Sequence, residues 1–287
     1  MTGAGDRPDR RRWPSNGRVA ARSLGDRAGD ARPVDPQPCR VTVPVADLLA
    51  APAGKRDRQV LFGEVLEVLE RGQGHAFVVA RKDGYVGYVD DAALTPLEGP
   101  DPATHQVRAA ASHLYPAPDI KVRETELLSL GARLRVSGTE GAFARVEQGY
   151  VIARHLAPLT THEADPVTVA ERLLGTPYLW GGNSREGIDC SGLVQIACDA
   201  CGIPCPGDSD MQAAELGDPL DPGADLRRCD LVLWKGHVAW VSGPDRILHA
   251  NGHDMAVAFE GLTAAIARIE AQGEGPVTGR RRLNLPV

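Results

Sequence analysis

The residues Asp189-Cys190-Ser191-Gly192 join a glycine-rich stretch, GTPYLWGGNSREGIDCSG, to an apolar run that reads as a helix, SGLVQIACDACG. A cysteine in that place sits at a helix N-terminus. Unpaired amides and the helix dipole stabilise a thiolate there, and the same amides can donate to an oxyanion in acyl transfer. Such a nucleophile needs a base. His237 stands in KGHVAWV, and His249 follows twelve residues later in ILHAN. On adjacent antiparallel strands the second ring would lie beside the first and fix its orientation and tautomer. Each residue is a weak signal alone. The set, a loop-cysteine-helix followed by two histidine strands, points to thiol acyl-transfer chemistry.

The elements that must position these residues are legible around them. Val167 to Leu174 reads as a helix with Asp165 or Thr168 as its cap. The cysteine helix stops at Gly202. DLVLWKGHVAWVSG reads as two buried strands joined at Lys235-Gly236, RILHAN as a third strand and VAFEGL as a fourth. Helix first and strands after is an α+β order.

The first half has a different pattern. Residues from Cys39 to Leu94 and from Val107 to Leu156 share an order of short segments, a weak repeat of about 55 residues. Period-two alternation in Val65–Glu70 and Arg133–Val136, with turns or bulges at Gly84, Gly87 and Gly149, suggests two small barrels. The expected layout is therefore an Arg-rich flexible arm over 1–38, barrels over 39–98 and 99–160, and a catalytic domain over 165–287.

Composition narrows the classes. The 287 residues are 43% hydrophobic and 24% charged, with a net charge of -6, which suits a soluble globular chain and not a nucleic-acid binder. No run of about 18 apolar residues is present, so no membrane span is expected. Met1 to Pro38 lacks the apolar stretch of an export signal, and a cytoplasmic location is the expectation. Arg10-Arg11-Arg12 reads as part of a solvated arm. Six cysteines, five of them after residue 189, fit a reduced protein better than a disulfide scaffold. Cys198-x2-Cys201-x3-Cys205 with Cys229 has some character of a zinc site. Two of these lie inside the helix and no histidine is interleaved, so buried thiols are the better reading. GGNSREG lacks the Lys-Ser/Thr ending of a phosphate loop. No cofactor or metal is expected.

The blocks TPYLWGGNSREGIDCSGLVQ, CDLVLW, GHVAWV and ILHAN occur in one order over residues 165–260 and resemble the NlpC-type bacterial cell-wall peptidases. The resemblance implies a papain-like cysteine peptidase fold, with Cys190 as nucleophile, His237 as base and His249 as the orienting residue. The two repeats ahead of it resemble bacterial SH3-like domains. That combination resembles the γ-D-glutamyl-L-diamino-acid endopeptidases of murein recycling, whose partner is a stem peptide with a free N-terminal L-Ala before γ-D-Glu. By the same resemblance Asp189 would hold the L-Ala ammonium, with Ser191 beside it. A tyrosine from DGYVGYV, Tyr85 or else Tyr88, would close the pocket. Their spacing puts the two on opposite faces of a strand.

Trp180 packs in the core or lines the cleft. In PCPGDSDMQ, Asp208, Ser209 and Gln212 line the substrate groove or form a turn and cap the next helix. The family pattern carries Arg before that Asp, and Gly207 stands here instead. Two other classes fit the same residues less well: an amidase or acyltransferase on the same fold, and a non-catalytic module that binds cell-wall peptide.

Overall fold

The computed structural model describes residues 8–285. The chain divides into two compact units, one ending at Pro102 and the other beginning at Ala103.

The first unit is built on a seven-stranded antiparallel sheet. Its strands lie in the order Arg56–Leu61, Val45–Leu49, Val86–Asp90, His75–Ala80, Val65–Gly72, Gln37–Val41 and Leu94–Pro96. Alternating Val, Leu and Phe residues fill its core, among them Leu48, Leu61, Leu66 and Val78. The stretch HAFVVARKDGYVGYVD is two strands divided by a turn, with Tyr85 at the start of the second.

The expected flexible arm is corrected from residue 8 onward; residues 1–7 of that arm lie outside the described residues. Val19–Ala21 forms a strand paired in parallel with Arg32–Val34. Val19 and Ala21 pack on Leu69, Phe77 and Val86, while Ala20 turns the other way to Leu24 and Ala31. Charged anchors hold both ends. Arg10 pairs with Asp57 through two bonds of 2.6 and 2.8 Å, and Arg18 reaches Glu70 at 2.6 Å. The Arg triplet is thus a short 3-10 turn, Arg10–Arg12, fixed by its neighbours. Composition suggested a solvated arm, because only a few small apolar residues make the contact.

The second unit opens with two small antiparallel sheets. One orders Arg133–Leu134, His105–Val107 and Leu156–Pro158. The other orders Glu126–Ser129, Ala111–Tyr115, Gly149–Ile152, Phe143–Val146 and Val136–Glu140. This β segment packs with the helical part rather than standing apart. Ser129 Oγ accepts from the Arg185 amide at 2.9 Å, and Glu163 pairs with Arg108 and Arg172 at 3.2 and 2.9 Å.

Among the described residues four α-helices follow: α1 (Pro166–Glu171), α2 (Cys190–Ala200), α3 (Ser209–Glu215) and α4 (Leu262–Ala271). Among the described residues no helix is long and apolar enough to cross a membrane. Asp165 caps α1 by accepting from the Thr168 amide, and Pro166 occupies the first turn, where no amide is needed.

α2 is apolar on nearly every side and is buried almost throughout. Burial of Leu193, Val194 and Ile196 contributes about 1.5–3 kcal/mol each. The helix ends at Gly202, whose φ is 71°, a left-handed stop. It packs on a six-stranded antiparallel sheet in the order Asp218–Pro219, Gly279–Arg282, Asp230–Trp234, His237–Gly243, Arg246–Asn251 and Ala256–Gly261. α4 covers Val232, Trp234, Ala239, Val241 and Ile247 with Ala265 and Ile269.

Gly192, in the first turn of α2, admits the glycine-rich loop at close range. A Cβ there would lie 2.4 Å from the Gly182 carbonyl oxygen. Gly192→Ala is therefore expected to displace the loop and destabilise the second unit by about 1–3 kcal/mol, read in a thermal melt. An unchanged melt would remove this constraint. For the first unit, Val19→Asp buries a charge against Leu69 and Phe77 and is expected to cost about 3 kcal/mol. Amide exchange in Val65–Gly72 should accelerate; unchanged protection would mean that Val19 adds nothing to the sheet.

Candidate active site

Asp189 organises the glycine-rich loop ahead of Cys190. It is the N-cap of α2: Oδ1 accepts from the Gly192 amide at 2.7 Å and from Ser191 Oγ at 2.9 Å. Oδ2 accepts from the Gly181 amide at 2.9 Å. The loop itself is tied by Asn183–Ser184 pairing with Gly187–Ile188. Cys190 therefore begins the helix with its side chain against the sheet, Sγ lying 4.0 Å from the Gly236 carbonyl oxygen.

The Cys190 thiol is buried, and burial pushes it up to about 12, with the charge of Asp189 adding to the rise. The amides of Val238, Ser191 and Cys190 act in the opposite direction. These are the donors that would stabilise a developing sulfur charge.

His237 follows Gly236 at the start of its strand. Its Nε2 is 2.9 Å from Nδ1 of His249, with the ring centroids 5.1 Å apart. Trp234 stacks obliquely on the His237 ring at 5.6 Å. The pairing of Trp240 with Leu248 puts the two histidines diagonally across neighbouring strands. Burial is the main cause holding both rings neutral, with further depression from Arg268: His237 is lowered to about 3 and His249 to about 4. Since Nε2 of His237 is engaged by His249, Nδ1 is the nitrogen left for other chemistry.

Two features escaped the sequence reading. Nε2 of the fully buried His249 lies 3.2 Å from Oε2 of Glu260, and Glu260 is gripped by Arg268 through bonds of 2.9 and 2.7 Å. Glu260 belongs to the strand beside His249, and Arg268 to α4. Tyr178 is the other. Its hydroxyl is pushed up by burial and by the nearby Cys190 and Asp189, so it stays a protonated donor. Its place in TPYLW just ahead of the glycine pair was the available signal.

The remaining expected residues divide. Ser191 is buried with its hydroxyl on Asp189. Trp180 is 72% exposed on the nucleophile loop, so it is a surface group and not a core one. Asp208 is the residue before α3 and makes no side-chain cap bond, and Ser209 opens that helix half-buried. Gln212 is fully buried and ties the carbonyls of Ser191 and Pro206, at 3.0 and 2.9 Å. It ties the first turn of α2 to the segment ahead of α3. In the first unit Tyr85 is buried under the Arg58 guanidinium, 5.4 Å from its ring, and the half-buried Tyr88 packs on Phe77. Of the clustered cysteines, Cys198 bonds Cys205, Cys205 also meets Gln212, and Cys229 meets Asp165; among the described residues no three His, Cys, Asp or Glu side chains are grouped to hold a metal ion.

Comparison with known proteins places this arrangement. Residues 175–268 match the NlpC/P60 family, and residues 48–94 match the bacterial dipeptidyl-peptidase Sh3 domain. A γ-D-glutamyl-L-lysine dipeptidyl-peptidase of Bacillus subtilis (strain 168) is 30% identical over 233 residues, spanning 72% of this chain and 76% of the relative. A protein of the same name from Bacillus cereus is 26% identical over 236 residues, spanning 71% and 70%. The crystal structure of an NlpC/P60 family protein from Bacillus cereus superposes with a TM-score of 0.72 at 22% identity, over 87% of this chain and 100% of that one, and so shares the fold. Likeness to the Bacillus subtilis relative runs far beyond the nucleophile loop and covers most of both chains, and on that extent this chain belongs to the NlpC/P60 family of cysteine peptidases.

Proposed function

We propose that this chain hydrolyses the γ-D-Glu–diamino-acid bond of murein stem peptides that carry a free N-terminal L-Ala. The observation that carries the reading is the His237–His249 bond, beside a helix-terminal cysteine held at the carbonyl of the residue preceding His237. The names of the two Bacillus relatives support the choice of bond.

In this reading the resting pair is neutral. As Sγ of Cys190 attacks the γ-carbonyl carbon, its proton moves to Nδ1 of His237. The amides around Cys190 receive the oxyanion charge, with the Tyr178 hydroxyl as a further donor. Collapse breaks the C–N bond, and His237 returns the proton to the departing amine. Water then attacks the thioester, with His237 again as base, and releases the dipeptide acid. No metal or cofactor takes part in these steps.

Asp189 is assigned the substrate ammonium. The Gly181 and Gly192 amides and the Ser191 hydroxyl hold the carboxylate at the mouth of the helix, and so aim its charge. Ser191 is assigned beside it, and Trp180 and Ser209 to the outer walls. Asp208 is assigned a place near the groove, whereas Tyr85, expected from the sequence to close the pocket, is buried within the first unit beneath Arg58. A reducing cytoplasmic setting for cut peptides suits a chain with a thiol nucleophile and six free cysteines.

The test compares L-Ala-γ-D-Glu-L-Lys, its meso-diaminopimelate counterpart and the N-acetylated form of each, with wild type and Cys190→Ala. The free peptides should be cleaved, and the acetylated ones about 10–100-fold more slowly, since a charge-assisted bond is lost. Cys190→Ala should be inactive. Equal cleavage of free and acetylated peptides would overturn the Asp189 assignment. Cleavage of neither would favour an amidase, an acyltransferase or a binding module.

The same buried pair sets a pH dependence of stability. Both histidines fall below their ordinary value of 6.5 in the folded chain. The unfolded chain therefore binds more protons as pH falls below 6.5, and stability is lost on acidification toward about 3. His249→Asn should flatten this decline in urea midpoints taken from pH 7 to 4. An unaltered slope would contradict the burial argument.

A further inference from the structure

We infer that Glu260, clamped by Arg268, is a positioning residue that fixes the tautomers of His249 and His237. The inference rests on the reading of Cys190, His237 and His249 as the catalytic set.

The bond between His237 Nε2 and His249 Nδ1 holds one proton, and two assignments satisfy it. In the first, His237 carries the proton on Nε2 and donates it. Its Nδ1 is then a bare base, and His249 carries its own proton on Nε2. In the second, His249 donates from Nδ1. His237 is then protonated at Nδ1, and cannot accept from a thiol. What faces Nε2 of His249 decides between them. Oε2 of Glu260 lies 3.2 Å from it, within ion-pair reach though off the line of a ring N–H bond, so its charge rather than a formed hydrogen bond makes the choice. An ionised carboxylate is an acceptor only, so a bare ring nitrogen against it would be repelled. The first assignment follows.

The carboxylate is kept ionised and in place. Arg268 Nε donates to Oε1 at 2.9 Å and Nη2 to Oε2 at 2.7 Å, a two-point pair that also holds Glu260 below its ordinary carboxyl range. Arg268 is itself steadied by Gln272 Oε1 at 3.0 Å and by α4, whose Ala265 and Ile269 are in the core. Glu260 is the strand partner of Ile247, and His249 that of Ala258, so the two side chains are diagonal neighbours on the sheet. Its side chain is 16% exposed, and the contact is largely shielded from solvent.

Other charges act on the same group. Asp254 raises His249, His253 acts on Glu260, and Asp254 and Glu274 act on Arg268. Asp189 acts on Cys190 from the α2 side. Glu260 is the carboxylate within ion-pair reach of the His249 ring.

The test measures steady-state kinetics and imidazole nitrogen NMR on wild type, Glu260→Gln and Arg268→Gln, with Cys190→Ala and His237→Ala as controls. Wild type should show both histidines as neutral rings protonated at Nε2. In Glu260→Gln the amide can donate as well as accept, so the His249 and His237 signals should become mixed. kcat should fall about 10–100-fold with KM unchanged, less than the full ~10²–10⁴-fold that a general base supplies, because the base is misoriented and not removed. In Arg268→Gln the Glu260 charge is no longer offset, so the acidic limb of kcat should move to higher pH. That variant also serves if Glu260→Gln does not fold. Wild-type His249 protonated at Nδ1, or wild-type kcat with unchanged signals in Glu260→Gln, would overturn the inference. So would an unmoved acidic limb in Arg268→Gln. Activity surviving in Cys190→Ala or His237→Ala would instead sink the catalytic reading, and the nitrogen spectra would still test the tautomers by themselves.

Discussion

The 2.9 Å bond between His237 and His249 sets the demands that the second unit meets. It requires two antiparallel strands in one register, because a slip of one residue would turn one ring to the opposite face. It requires that the two rings not both be charged, since two imidazolium ions could not share a proton at that distance. Burial supplies neutrality, and the sheet and α4 supply burial. The strand Asp230–Trp234 and its partner Gly279–Arg282 then brace the histidine strands from one side. There the buried Asp230 is paired with Arg282 by bonds of 2.9 and 2.8 Å.

The nucleophile loop answers the same arrangement from the other side. Asp189 is an N-cap, a loop clasp and the charge nearest Cys190. The first two uses place the thiol, and the third opposes its ionisation. The helix-terminal amides offset part of that cost. The outcome is that burial and the Asp189 charge both favour the neutral thiol. A buried thiol of this kind is shielded from solution oxidants.

The loop, the cysteine helix and the histidine strands were legible because each has a strong local signature. Asp165 with Pro166 reads as a helix start, Gly202 as a stop, and the turn at Lys235-Gly236 as a hairpin. Contacts between polar residues distant in sequence were not. Glu260 and Arg268 look like charges on a solvated strand end and helix, and only the fold brings them onto His249. The run Gly279–Arg282 carries no apolar alternation that marks a strand, yet it is an inner strand of the sheet, with Arg282 paired to the buried Asp230. Residues 8–38 look too polar to fold. Three consecutive small apolar residues, Val19–Ala21, split between two clusters and give the segment its hold.

The most direct test of the catalytic assignment is capture of the acyl-enzyme. The chain is mixed with L-Ala-γ-D-Glu-L-Lys, quenched in acid and analysed by intact mass and peptide mapping. An alanyl-glutamyl adduct on the peptide bearing Cys190, absent from Cys190→Ala, is the predicted result. An adduct on another of the six cysteines, or full turnover by Cys190→Ala, would contradict it.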